Sequence, residues 1–157
     1  MSLDRTMWGD LITEVGTTRL YTLGTQREYD HATYKRQIWR YVYNNSGADI
    51  AANLGVMQED GTTPYEISLS DANVEQNRLL GATQHIIASA SYGWILSSGE
   101  GLFTSDGSTT ADTAQQGAAN GQFTDGVVGT DELILWAQAT ENPAGAGGTF
   151  QGRIATL

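Results

Sequence analysis

From residue 18 onward, large apolar side chains fall in short runs separated by Gly, Asn, Asp and Ser, a grammar that predicts strands and tight turns. The strongest run is 33–43, rich in Tyr, Ile, Trp and Val with no breaker. Successive side chains of a strand point to opposite sides, so Lys35, Gln37, Trp39, Tyr41 and Tyr43 share one face. Tyr34, Arg36, Ile38, Arg40 and Val42 share the other. Both faces mix aromatic and charged groups, which predicts a strand at a sheet edge or an interface, its Arg heads kept in water. Further strands are predicted at 18–23, 50–58, 65–69, 79–90, 92–96, 127–128, 133–139 and 149–157. Turns are predicted at Asn44-Asn45-Ser46-Gly47 and Asp60-Gly61. One or two helical turns are predicted after a Ser70-Asp71 cap. Residues 97–126 are small and polar, anchored by Leu102, Phe103 and Phe123, and read as short strands and loops.

The spacing predicts an all-β fold, a compact β-sandwich or β-barrel of about 8–10 short strands. No repeat period implies a solenoid or propeller. Residues 1–17 differ in kind. Leu3, Met7, Trp8, Leu11 and Ile12 are apolar at roughly helical spacing, but Gly9 and Gly16 interrupt any long helix. This segment is expected to be an extended N-terminal arm, with 18–157 a single β domain. Its apolar side chains must be buried against that domain or another chain.

Composition sharpens the picture chiefly through charge. Residues 1–40 hold six basic side chains against five acids, whereas 41–157 hold two, Arg78 and Arg153, against thirteen. A slightly cationic head end joined to a strongly anionic body suits docking by one end, and the body repels polyanions. No nucleic-acid partner is therefore expected. No apolar run approaches a membrane span, and no signal peptide is expected from the first twenty residues. The chain has no Cys, which excludes disulfides and thiolate metal sites.

Catalytic chemistry has little to stand on. The histidines are His31, placed in a polar loop, and His85, placed in a strand beside Gln84; no Gly-x-Ser-x-Gly elbow accompanies them. Carboxylates cluster at 59–66 and 125–132 without the twelve-residue calcium-loop spacing. The glycine-rich stretches at 99–101 and 145–148 lie far from Lys35, the lone lysine, so they do not read as phosphate loops. No catalytic residue, cofactor or metal is expected. Asn44-Asn45-Ser46 spells a glycosylation sequon but reads as turn chemistry.

Several short motifs resemble those of tailed-bacteriophage capsid decoration, or cement, proteins. They are Leu23-Gly24-Thr25, then Arg40-Tyr41-Val42-Tyr43-Asn44, Tyr92-Gly93-Trp94-Ile95 and Gly126-Val127-Val128-Gly129. The resemblance covers about residues 20–157. It implies a β-rich domain on the outer face of the virion head that bridges major capsid protein subunits as a homo-oligomer, a trimer in preference to a dimer. The long aromatic-basic strand and the Gly-Ala-Gly-Gly loop depart from the pattern. On this reading the shell contact falls to Trp8, Arg19, Tyr34, Arg36, Trp39 and Arg40, since Arg, Trp and Tyr dominate interface energetics. The alternative is a tail-fibre, spike or baseplate module whose Trp and Tyr stack on host glycans. A small β-barrel hydrolase requires His31 or His85 in a cleft beside an activated Ser or carboxylate.

Overall fold

The computed structural model describes residues 12–59, 63–71, 79–126, 137–140 and 145–156. Ten strands are described: β1 (Gln26–His31), β2 (Lys35–Asn44), β3 (Gly55–Gln58), β4 (Glu66–Leu69), β5 (Leu79–Ala82), β6 (Tyr92–Thr104), β7 (Ala114–Gly117), β8 (Phe123–Asp125), β9 (Ala137–Ala139) and β10 (Thr149–Ala155). Five of them close into a barrel in the order β2-β4-β3-β5-β6, because β6 returns to pair with β2. The all-β expectation therefore holds, in its barrel form. Each barrel strand sends one branched apolar side chain inward: Val42, Ile67, Val56, Leu80 and Ile95. Ile50 and Ile87 complete this core and tie their loops through a reciprocal pair of backbone hydrogen bonds, 2.9 and 3.0 Å.

β6 is the shared element. Its first half lies on β2, and its second half leaves the barrel to pair with β10. The sheet continues through β9 and β7 to β8, and a bridge from Ser105 to Phe123 links β8 back to the end of β6. A second core fills this half. Phe103, Phe123 and Phe150 meet there, with ring centroids 5.1 to 6.2 Å apart. It runs without a break onto the outer wall of the barrel, at Trp39, Tyr41, Trp94 and Leu96.

The sequence pattern ends a strand at Leu96, whereas the structure carries β6 on to Thr104. Gly99 and Gly101, which read as loop glycines, are in fact sites of close approach. A Cβ on Gly99 would lie 2.8 Å from the Arg36 carbonyl oxygen, and one on Gly101 would lie 2.6 Å from the Gln84 side-chain oxygen. That Gln84 amide imitates a strand: its Nε2 donates to the Leu102 carbonyl and its Oε1 accepts the Leu102 N–H.

Other boundaries shift for similar reasons. Residues 18–23 form no strand; Tyr21 and Leu23 pack irregularly on the second core. His31 ends β1 and does not lie in a loop, and His85 sits at a bend after β5. The expected strand at 127–128, the helical turns after residue 71, the Asp60-Gly61 turn and most of the strand at 133–139 lie outside the described residues. Of the arm, residues 12–17 are described. Ile12 is buried in the second core, and Gly16 exchanges backbone hydrogen bonds with Tyr92 at 2.8 and 3.1 Å.

Among the described residues, several polar side chains have no solvent exposure: Asn44, Thr83, Ser105 and Gln115. Asn44 donates through Nδ2 to the carbonyls of Ala48 (2.8 Å), Ile87 (2.9 Å) and Ala88 (3.1 Å), while its Oδ1 accepts from the Ser46 N–H and hydroxyl. It clamps the 44–48 turn to the 86–90 loop. A glycan cannot be carried on this nitrogen in the folded chain, so the sequon serves as turn chemistry.

Candidate functional site

The surface best suited to docking runs along β1 and its hairpin to β2. It starts at a bulge where Gly24, at φ +83°, and Thr25 both oppose Tyr41: the Gly24 N–H donates to the Tyr41 carbonyl and the Tyr41 N–H to the Thr25 carbonyl. Beyond it, β1 pairs antiparallel with β2 over its full length. Arg27, Tyr29 and His31 turn to one face and are half-buried, while Gln26, Glu28 and Asp30 turn to the other and are exposed.

The hairpin tip is held by His31, whose Nδ1 accepts the backbone N–H groups of Thr33 and Tyr34, both at 3.1 Å. The Tyr34 ring stacks on the imidazole at 4.8 Å. Arg36 is exposed and pairs with Glu28 at 2.9 Å. At the opposite end of β1, exposed Arg19 donates from Nε to the Tyr21 carbonyl, and the Arg27 guanidinium lies 5.4 Å from the Tyr21 ring centroid. Basic and aromatic groups thus mark both ends of β1.

Of the six residues expected to make the contact, Arg19, Tyr34 and Arg36 lie on this surface. Trp8 lies outside the described residues. Trp39 and Arg40 require correction, because β2 is an interior strand with β1, β4 and β6 as neighbours and both its faces are largely covered from Gln37 onward. Trp39 is 3% exposed, its Nε1 donating to the Gln37 side-chain oxygen and its indole stacked over His85. Arg40 is 6% exposed, its guanidinium 5.7 Å from the Tyr65 ring centroid. Burial lowers the Arg40 pKa from its ordinary value, with Tyr65 acting in the opposite direction. Arg27, Tyr29 and His31 were missed as surface residues. The signal was their every-second-residue spacing, masked by the charges between them.

Of the second acidic loop, Asp125 accepts hydrogen bonds from Thr110, Thr113 and Gln115. Burial raises the Asp125 pKa, but hydrogen bonds from Thr110, Gln115 and Thr113 outweigh it and leave the carboxyl below its ordinary value. Among the described residues, no group of three His, Cys, Asp or Glu side chains is placed to hold a metal.

His85 is half-buried as a residue, yet both its ring nitrogens are sealed from solvent with no hydrogen-bond partner among the described residues. Desolvation pushes its pKa down from 6.5 to about 4. The folded state thus resists a proton that the unfolded chain accepts, so stability falls as pH drops through that interval. The full effect is about 3 kcal/mol. His85→Leu should therefore remove that part of the acid loss. Urea midpoints measured at about pH 7.5 and about pH 4 test this, and equal pH sensitivity in parent and variant would contradict it.

No known protein family and no curated protein matches the sequence. Among solved structures, the chain is similar to the crystal structure of the head fiber gp8.5 N base of bacteriophage phi29. The TM-score is 0.55 at 11% identity, with 76% of this chain and 98% of that chain covered. The two share a fold.

Proposed function

We propose that this chain is a bacteriophage capsid decoration protein that binds the outer face of the assembled head. There it bridges major capsid protein subunits and stabilises the shell. The observation that carries this reading is the shared fold with a head-fibre base, whose chain is covered almost end to end. The charge division supports it, because a mildly cationic docking region attached to an anionic body sets a preferred orientation.

The mechanism is associative and needs no catalytic residue or cofactor. A protein that binds the assembled shell but not its parts raises the shell's apparent stability by mass action. Many copies, each touching two or more subunits, couple those subunits by effective concentration without tight single contacts. An oligomer is proposed, since closed symmetry is the usual way to hide an apolar arm; a trimer is preferred to a dimer on the resemblance to decoration proteins and on capsid symmetry. Arg36 and Arg19 act as charged orienters toward carboxylates of the shell, Arg36 by exchanging its exposed Glu28 partner.

The test is co-sedimentation with empty heads assembled from the major capsid protein of the virus that encodes this chain. Arg36→Glu combined with Arg19→Glu should weaken binding at least about tenfold, because like charges then face each other. Both side chains are exposed, so the melting temperature should move little. Unchanged head occupancy in the double variant would contradict the assignment. The fold likeness also supports a second reading, in which this domain is the head-anchored base of a fibre; density extending outward from the bound domain would favour it. A host-glycan hit without head binding would favour a tail or spike module.

A further inference from the structure

β1 ends the sheet: among the described strands it pairs with β2 alone. Its ladder has a definite phase. Tyr41 donates to Thr25, so in antiparallel pairing Arg27, Tyr29 and His31 exchange hydrogen bonds with β2. Gln26 and Glu28, with Asp30, direct their backbone groups away from β2. The edge spans six residues, about 20 Å, enough to template an added strand.

Resting on the reading above, we propose that this edge receives an extended segment of the shell subunit as an added strand. The segment should place a basic residue beside Glu28, and apolar or aromatic residues beside Tyr29. The chemistry of the rail disfavours two-fold pairing of β1 with itself. Side chains that face each other in an antiparallel pair lie on the same sheet face. A two-fold pairing of β1 with itself must therefore centre on a single residue. Centring on Arg27 opposes Arg27 to itself; centring on Glu28 opposes Glu28 to itself. Centring on Tyr29 opposes Glu28 to Asp30, and centring on Asp30 opposes Asp30 to itself. Each of these four registers sets like charges face to face, which destabilises a strand pair; centring on Gln26 or His31 overlaps only the ends of β1. A basic partner strand meets no such repulsion, and Arg36, already paired with Glu28, lies on the same face to share it.

The phase of the ladder supplies the test. Proline lacks an N–H, so Gln26→Pro and Glu28→Pro each remove an outward donor and leave the bonds to β2 in place. Arg27→Pro removes an inward donor and should lower the melting temperature. On empty heads, Gln26→Pro and Glu28→Pro should each bind at least about tenfold more weakly than the parent, with melting temperatures close to it, while Glu28→Gln keeps the edge donor and most of the binding. Parent protein bound to heads alongside equally bound proline variants would overturn the strand-addition inference alone. Parent protein that fails to bind heads would overturn the functional reading itself. Hydrogen exchange gives a readout free of substitution: the Gln26 and Glu28 amides should exchange rapidly in the free protein and become protected on the particle. Protection already present in the free protein, or none on the particle, would overturn the inference.

Discussion

Asn44→Asp is expected to destabilise the domain by about 4 kcal/mol or more at neutral pH, a large fraction of the stability of a single domain. The carboxamide nitrogen faces three carbonyl oxygens within 3.1 Å, in a site with no exposure to solvent. A carboxylate there has no donor to offer, and sets a buried charge against three acceptors. Asn44→Ala removes the clamp without adding the charge, so it should cost less, about 2–3 kcal/mol. The Asp variant should recover part of its loss in acid, where protonation removes the charge, and the Ala variant should not. Urea denaturation of both variants at neutral and acid pH checks the magnitude and the sign. Equal costs for the two substitutions would show that the carbonyl cage is not what holds the turn.

Phe123→Ala is expected to cost about 3–5 kcal/mol. Phe123 has no solvent exposure and touches both Phe103 and Phe150, so its removal opens a cavity that neighbouring strands can only partly fill. The second core continues onto the barrel wall through Leu96 and Trp94, and β6 belongs to both halves. The loss should therefore appear as one weakened cooperative transition, not as early melting of one half. Phe123→Ala and Phe150→Ala should combine non-additively, because their cavities merge. Denaturation followed in parallel by tryptophan fluorescence and far-ultraviolet circular dichroism tests both statements. Separated transitions would mean that the barrel folds independently of the second half.

The strands rich in β-branched and aromatic residues were legible in the sequence, and the short charged strand and the glycine-bearing extension of β6 were not. The run at 33–43 announces β2, and its alternation correctly separates Trp39 and Tyr41 from Arg40 and Val42. Its place in the sheet was hidden, because a strand covered on both faces that also carries Arg looks like an edge. Arg40 is accommodated inside by the face of Tyr65, a contact contributed from far along the chain. β1 was invisible for the opposite reason: Gln26-Arg27-Glu28-Tyr29-Asp30-His31 is so charged that its period of two is easily passed over. β6 was cut short because glycine ordinarily marks turns, and here it marks places where Gln37 and Gln84 press against the strand. Of the docking surface, Arg19, Tyr34 and Arg36 were legible as basic and aromatic groups, the two arginines exposed and Tyr34 half-buried. That the surface is organised along a strand edge follows from pairing, which local sequence does not encode.

The most direct measurement of the central claim is a density map of native heads carrying this protein, set beside a map of heads lacking it. The account predicts added density on the outer shell at sites where capsid subunits meet, with the β1 side of the domain turned toward the shell and the anionic body outward. Density found only on the tail, or a domain attached by its anionic body with the β1 surface facing solvent, would contradict it.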